Sequence, residues 1–230
     1  MKTKIYIHIA AMGNFNQIVN EMLDKINSSG LYDKADEINL NVCGDGSLLD
    51  IKKMPKYNIT NETQDVEKCE FPTLDKIWED SQIENSKVLY LHTKGVSKQE
   101  ILPHYKTWIQ NLHYFNIEKW EDNIKNLVTY DICGINYNIN PNPNNTGMGN
   151  IAKSAAMMQH SGQYPPDSYA SHYKGNFWWA NSSHIKKLKK PSDLVLNDEY
   201  RQFRFIAEFW IGGNNPNAHS INVNLNKFEF

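Results

Sequence analysis

The tetrapeptide His92-Thr93-Lys94-Gly95 carries the strongest chemical signal in the chain. A short apolar run, Lys87-Val88-Leu89-Tyr90-Leu91, stops there at an imidazole, a hydroxyl, an ammonium and a turn glycine. An ammonium at the end of such a strand can neutralise a diphosphate and stabilise it as a leaving group, and an imidazole can hydrogen-bond phosphate or sugar oxygens. The plainer alternative is a surface lysine beside a histidine satisfied within its turn, and the tetrapeptide alone leaves both open. Glu208 is the second candidate. It lies in Ala207-Glu208-Phe209-Trp210-Ile211-Gly212, an apolar run in which a carboxylate needs a partner or a purpose. General-base chemistry would be the purpose; an ion pair with Arg201 or Arg204, seven and four residues upstream, would be the partner.

Asn176 and the aromatic run Phe177-Trp178-Trp179 could bind sugar hydroxyls and stack on apolar sugar faces. Core packing competes with that reading, because alternation along a strand sends the two tryptophans to opposite faces. Asp45, between Gly44 and Gly46, could hold a ribose hydroxyl or close an Asx-type turn. Asp45, Asp75 and His219 are conceivable metal ligands, but none belongs to a metal-ligand spacing. No G-x-G-x-x-G, Walker or G-x-S-x-G pattern occurs, so dinucleotide oxidoreductase, P-loop and nucleophile-elbow hydrolase readings have no support.

These residues must be positioned by the elements around them. Alternation at Ile5, Ile7 and Ile9 and at Ile38, Leu40 and Val42 predicts two strands, and the apolar run 87–91 predicts a strand at a sheet's centre. Further strands are expected over 130–136, 175–180 and 221–225. Helical spacing appears at Ile18, Met22, Leu23 and Ile26, from Pro72 through Leu74, Ile77 and Trp78, over 108–115 and 117–127, at 152–160, after Ser182-Ser183, and from Arg201 to Trp210. Strands alternating with helices imply a mainly parallel sheet covered on both faces, with ligands bound beyond the strand carboxyl ends.

At 230 residues, with 40% hydrophobic and 12% aromatic content, one globular α/β domain is expected. The segment from about 140 to 171, rich in Asn, Pro, Gly and Ser, reads as a loop insertion. A formal charge of −2 lacks the basic excess that nucleic-acid binding requires. The lysine cluster Lys186, Lys187, Lys189 and Lys190 reads as a solvated helix face. Cys43, Cys69 and Cys133 show no pairing pattern, and no apolar stretch reads as a leader or a membrane span, so a cytoplasmic location is expected.

Three segments carry a family resemblance: Thr73-Leu74 with Trp78, Tyr90 to Ser97, and Gly175 to Trp179 with Ser182 to Ile185. In these the chain resembles small GT-A-type glycosyltransferase domains, in particular those of large algal viruses, and more distantly bacterial rhamnose-polysaccharide synthesis proteins. The likeness runs from Ile5 to Gly212. It implies a three-layer α/β/α sandwich that moves a hexose or deoxyhexose from a nucleoside-diphosphate sugar, most simply a UDP-sugar, to a glycan or glycoprotein acceptor, in host cytoplasm if the chain is viral. It also implies donor binding by Thr73, Trp78, His92, Thr93, Lys94 and Gly95, with Ala10, Ala11, Met12, Gly44, Asp45 and Gly46 near the nucleoside. Sugar or acceptor contacts would fall to Asn176, Trp178 and Trp179. Glu208 would take the acceptor's proton in an inverting enzyme, or stabilise an oxocarbenium-like state in a retaining one. Many such enzymes hold Mn2+ or Mg2+ on an Asp-x-Asp; here His92-Thr93-Lys94 stands in its place, which disfavours a metal and lets Lys94 supply the charge. A non-catalytic nucleotide-sugar or carbohydrate binding module on the same fold is the alternative.

Overall fold

The computed structural model describes residues 1–98, 102–138, 149–164 and 171–223. In chain order the strands are β1 (Lys2–Ala11), β2 (Glu37–Gly44), β3 (Tyr57–Thr63), β4 (Ser86–His92), β5 (Ile132–Ile135), β6 (Tyr137–Asn138), β7 (His172–Tyr173), β8 (Trp178–Asn181) and β9 (Ala218–Ile221). The α-helices are α1 (Phe15–Ser28), α2 (Leu31–Lys34), α3 (Phe71–Ile83), α4 (Pro103–His113), α5 (Trp120–Asn126), α6 (Asn150–His160), α7 (Ser182–Ile185) and α8 (Phe205–Phe209). Seven strands form one sheet in the order β3-β2-β1-β4-β8-β5-β9. Pairing is parallel everywhere except around β8, which runs antiparallel to both β4 and β5. Six strands therefore point one way, and β4 lies at the centre.

Alternation decides which side chains reach which face. Ile5, Ile7 and Ile9 of β1, Leu89 and Leu91 of β4 and Trp179 of β8 pack with α1, α2, Leu112 and Ile117 on one face. Tyr6, Val88, Tyr90, Trp178 and Ala180 pack with α3, α6, α7 and α8 on the other. The result is a three-layer α/β/α sandwich with two cores. Helix α3 shows the local logic: Pro72 occupies its first turn, where a missing N–H costs nothing, and Phe71, Leu74 and Ile77 recur on the buried face.

Several elements differ from the sequence expectation: α2, β6 and β7 add to it, and β8 begins at Trp178 rather than 175, because Gly175 and Asn176 turn through positive φ. Strand β3 is an edge strand of mostly exposed polar residues, so it has no apolar signature to read. Strand β9 starts at Ala218, three residues before the expected Ile221, because it pairs with β5 from Ile132↔Ala218; residues 224 and 225 lie outside the described residues. The helix expected from Arg201 is α-helical only over Phe205–Phe209 and tightens into a 3-10 turn at Trp210–Gly212. The insertion lies partly outside the described residues, at 139–148 and 165–170. Its described part contains α6, packed on α8, and its flanks are joined by the β6–β7 ladder, Tyr137↔Tyr173 and Asn138↔His172.

Candidate functional site

Because β8 runs against its neighbours, the residues that lead into it meet the carboxyl ends of β1 and β4 at one sheet edge. A cleft of about 740 Å³ opens there. Its walls are His8 and Ala10 of β1 with Met12 just beyond it, His92 at the end of β4 and the residues to Lys98 after it, Val66, Cys69 and Glu70 before α3, Tyr105 of α4, Asn150 of α6, and Arg201, Arg204 and Glu208 around α8. The two strand-end loops are cross-linked: Thr93 N–H donates to the His8 carbonyl at 3.0 Å, and Ala10 N–H donates to Thr93 Oγ1 at 3.1 Å. Gly13, at φ +54°, lies so close that a Cβ would stand 2.6 Å from the Val96 carbonyl oxygen.

The cations of the cleft are mostly unpaired. The half-buried Lys94 ammonium lies 5.0 Å over the Trp108 ring and Lys98 lies 4.6 Å over Tyr105, and neither has a carboxylate partner among the described residues. Arg204 stacks 4.7 Å from the Phe205 ring centroid, whereas Arg201 pairs with Glu67. Glu208 consequently has neither of its expected arginine partners. It makes no hydrogen bond or ion pair among the described residues, although it lines the same cleft as Lys94. The spacing argument for the pair fails because Arg201 lies upstream of the α-helical segment and Arg204 turns toward Phe205.

Glu70 was missed by sequence reasoning. It precedes α3, its Oε2 accepts from the Tyr90 hydroxyl at 2.5 Å and from Asn176 Nδ2 at 2.6 Å, and its Oε1 stands 3.9 Å from His92 Nδ1. The one available signal was an acidic residue immediately before the Phe71-Pro72 helix start.

Other expected site residues lie behind or beside the cleft. Trp178 and Trp179 are fully buried, one in each core, so neither ring can stack on a sugar; their indole N–H groups donate to Asn176 Oδ1 and the Asn116 carbonyl. Asn176 is buried as well, and its amide holds Glu70 and the Ala207 carbonyl rather than facing a ligand. Thr73 is buried and bonds His8 Nδ1 at 3.0 Å, and Trp78 donates to the Leu188 carbonyl and does not line the cleft. Asp45 accepts from Ser47 N–H and Oγ, an Asx-type turn, and neither it nor Ala11, Gly44 and Gly46 lines the cleft.

The residues at the end of β4 do not fit a divalent metal. His92 Nε2 is engaged by the Gly175 carbonyl at 2.9 Å, Thr93 Oγ1 by Ala10 N–H, and Lys94 is itself a cation. Asp75 accepts from Ser192 N–H and His219 packs on Tyr130, so the three isolated candidates are not brought together. Among the described residues no group of three or more His, Cys, Asp or Glu side chains is placed to hold a metal.

Burial pushes His8 down to about 4, with a partial counter-effect from Glu70, and burial with the nearby Lys94 charge pushes His92 down to about 3. Burial likewise lowers His113 to about 4. These values lie below the unfolded-chain value of about 6.5, so the unfolded chain binds more protons as pH falls through 6.5 toward 4, and stability falls with it. For His8 alone the loss is on the order of 3 kcal/mol, from its value of about 4. Thermal melts should be flat above about pH 7 and drop steeply between roughly pH 6 and 4. A melting temperature unchanged between pH 7.5 and 5 would show that these imidazoles are solvated.

No family model and no curated protein matches the chain. Among solved structures it is similar to the bifunctional IspDF from Campylobacter jejuni, with a TM-score of 0.41, 9% identity and 97% of this chain covered. The chain spans 50% of that protein's length. No described helix is long and apolar enough to cross a membrane.

Proposed function

We propose that the chain is a glycosyltransferase whose cleft binds a nucleoside-diphosphate sugar, most simply a UDP-sugar, and transfers the hexose or deoxyhexose to a hydroxyl of a glycan or glycoprotein. The observation that carries this reading is the presence, in one cleft at the end of the central strand, of an ammonium with no carboxylate partner, Lys94, and a carboxylate with no donor, Glu208, both among the described residues. Lys94, Lys98 and Arg204 gather the charge of the diphosphate, and Ala10 and Met12 flank the nucleoside. The acceptor oxygen attacks the anomeric carbon as the bond to the β-phosphate oxygen breaks; its proton passes to Glu208, and the electron pair leaves with the diphosphate beside Lys94. The insertion meets the cleft at Asn150 and is the natural place for acceptor selection.

The test is thermal unfolding against nucleoside diphosphates and their sugars, each with EDTA or with Mn2+. Saturating UDP or UDP-sugar at a hundred times its Kd is expected to raise the melting temperature by roughly 5 to 10 °C, with EDTA present. No shift with any nucleotide would remove the reading. The alternative, a nucleotide-sugar binding module without turnover, draws on the replacement of Asp-x-Asp by His92-Thr93-Lys94; it predicts the same protection with no transfer.

A further inference from the structure

Two acceptors line the cleft facing each other, and no donor among the described residues serves either one. His92 Nε2 lies 2.9 Å from the Gly175 carbonyl, which can only accept, so the neutral imidazole carries its proton on Nε2 and presents a bare lone pair at Nδ1. That lone pair stands 3.9 Å from Glu70 Oε1. The carboxylate is held in this orientation from behind. Its Oε2 accepts from the Tyr90 hydroxyl and from Asn176 Nδ2, and the Asn176 amide is oriented in turn by Trp178 Nε1, a group that can only donate, 3.0 Å from Oδ1. Burial and the adjacent Glu70 charge raise the Tyr90 phenol well above its ordinary value, so it remains a donor.

Two partly desolvated acceptors at this separation repel unless a water or a ligand donates to both, and a ligand that binds here must replace the water's two bonds. The internal diphosphate of a nucleotide sugar is fully ionised and has no proton to offer, and a cationic ligand would meet the Lys94 ammonium, which is near enough to disfavour a charged His92. A pair of adjacent hydroxyls fits, with one hydrogen bond to each acceptor. We propose that Glu70 and His92 form a hydroxyl-reading pair that binds a vicinal diol of the donor's sugar ring, with Tyr90, Asn176 and Trp178 as positioning residues. The inference rests on the nucleotide-sugar reading of the cleft. It implies selectivity, since a ring lacking either hydroxyl leaves one acceptor stranded.

Glu70→Gln is the discriminating variant. Its carbonyl oxygen must take the Oε2 position to accept from Tyr90 and Asn176, which turns the new amide N–H toward His92 Nδ1 and closes the pair without a ligand. Nitrogen-15 NMR of the histidine rings should show His92 protonated on Nε2, with its Nδ1 resonance shifted in the variant. A proton on Nδ1 in the wild-type protein overturns the proposal whatever binds. Calorimetry with UDP, UDP-glucose and UDP-galactose should give wild-type binding in which at least one UDP-hexose binds more tightly than UDP, and the variant should lose about tenfold or more of that preference with UDP affinity unchanged. Equal loss for UDP and the UDP-hexoses, or no loss, means the pair does not read the sugar and overturns the proposal while the nucleotide reading stands. If the wild-type protein binds none of the three, the UDP-sugar form of the reading falls and takes the sugar assignment of this pair with it.

Discussion

Replacing Lys94 by methionine is expected to abolish most of the thermal protection given by UDP or a UDP-sugar, while the ligand-free melting temperature stays within about 2 °C of the wild-type value. Methionine keeps an unbranched apolar stem against the Trp108 ring and removes only the charge. The free protein tolerates this because Lys94 is half-buried and forms no ion pair among the described residues. The ligand does not. A charge-assisted contact to a phosphate oxygen lost from the cleft should weaken nucleotide binding by roughly 10- to 100-fold. Transfer should suffer more, by about 100- to 1000-fold in kcat/KM, because negative charge on the departing diphosphate is largest in the transition state. Lys94→Arg, with the charge retained on a longer planar group, should recover binding better than turnover. If Lys94→Met is protected by nucleotide as well as the wild-type protein is, the diphosphate sits elsewhere and Lys94 is an ordinary surface lysine.

Legibility in the sequence followed the range of the interactions. Strand β1 is readable from Ile5, Ile7 and Ile9, and β4 is readable as central from its unbroken apolar run, because burial on one or two faces leaves a local pattern. Strand β3 leaves none, since an edge strand of exposed residues looks like a polar loop. The tryptophans are more instructive. Alternation rightly sends Trp178 and Trp179 to opposite faces, but whether a face meets ligand or helix is a property of the whole sheet; here helices cover both, and both indoles are core. Glu70 was invisible for the same reason. Its partners, Tyr90 and Asn176, lie 20 and 106 residues away and reach it only because β8 runs backwards beside β4. The Asn176 amide stands out in the sequence as a hydroxyl binder, yet it faces Glu70 from within the protein.

Glu208→Gln should leave nucleotide binding intact and reduce transfer by about 100- to 10,000-fold in kcat. The substitution keeps the shape of a half-buried side chain that makes no hydrogen bond or ion pair among the described residues, so the fold has little to lose. What disappears is the capacity to accept the proton that the acceptor hydroxyl must shed as it attacks the anomeric carbon. Single-turnover measurements at saturating donor would separate this from a binding defect, since a base acts on the chemical step and not on donor affinity. Burial, reinforced by the Glu208 charge, raises the neighbouring Tyr105 phenol, so that tyrosine stays protonated and cannot replace the lost base near neutral pH. The prediction fails if the variant transfers sugar at the wild-type rate, in which case Glu70, the other carboxylate of the cleft among the described residues, becomes the group to remove next. A wild-type protein that binds UDP-sugars saturably and transfers nothing to any glycan offered would instead make the cleft a binding site, with Lys94 and Glu70 recognising the donor and Glu208 no longer needed as a base.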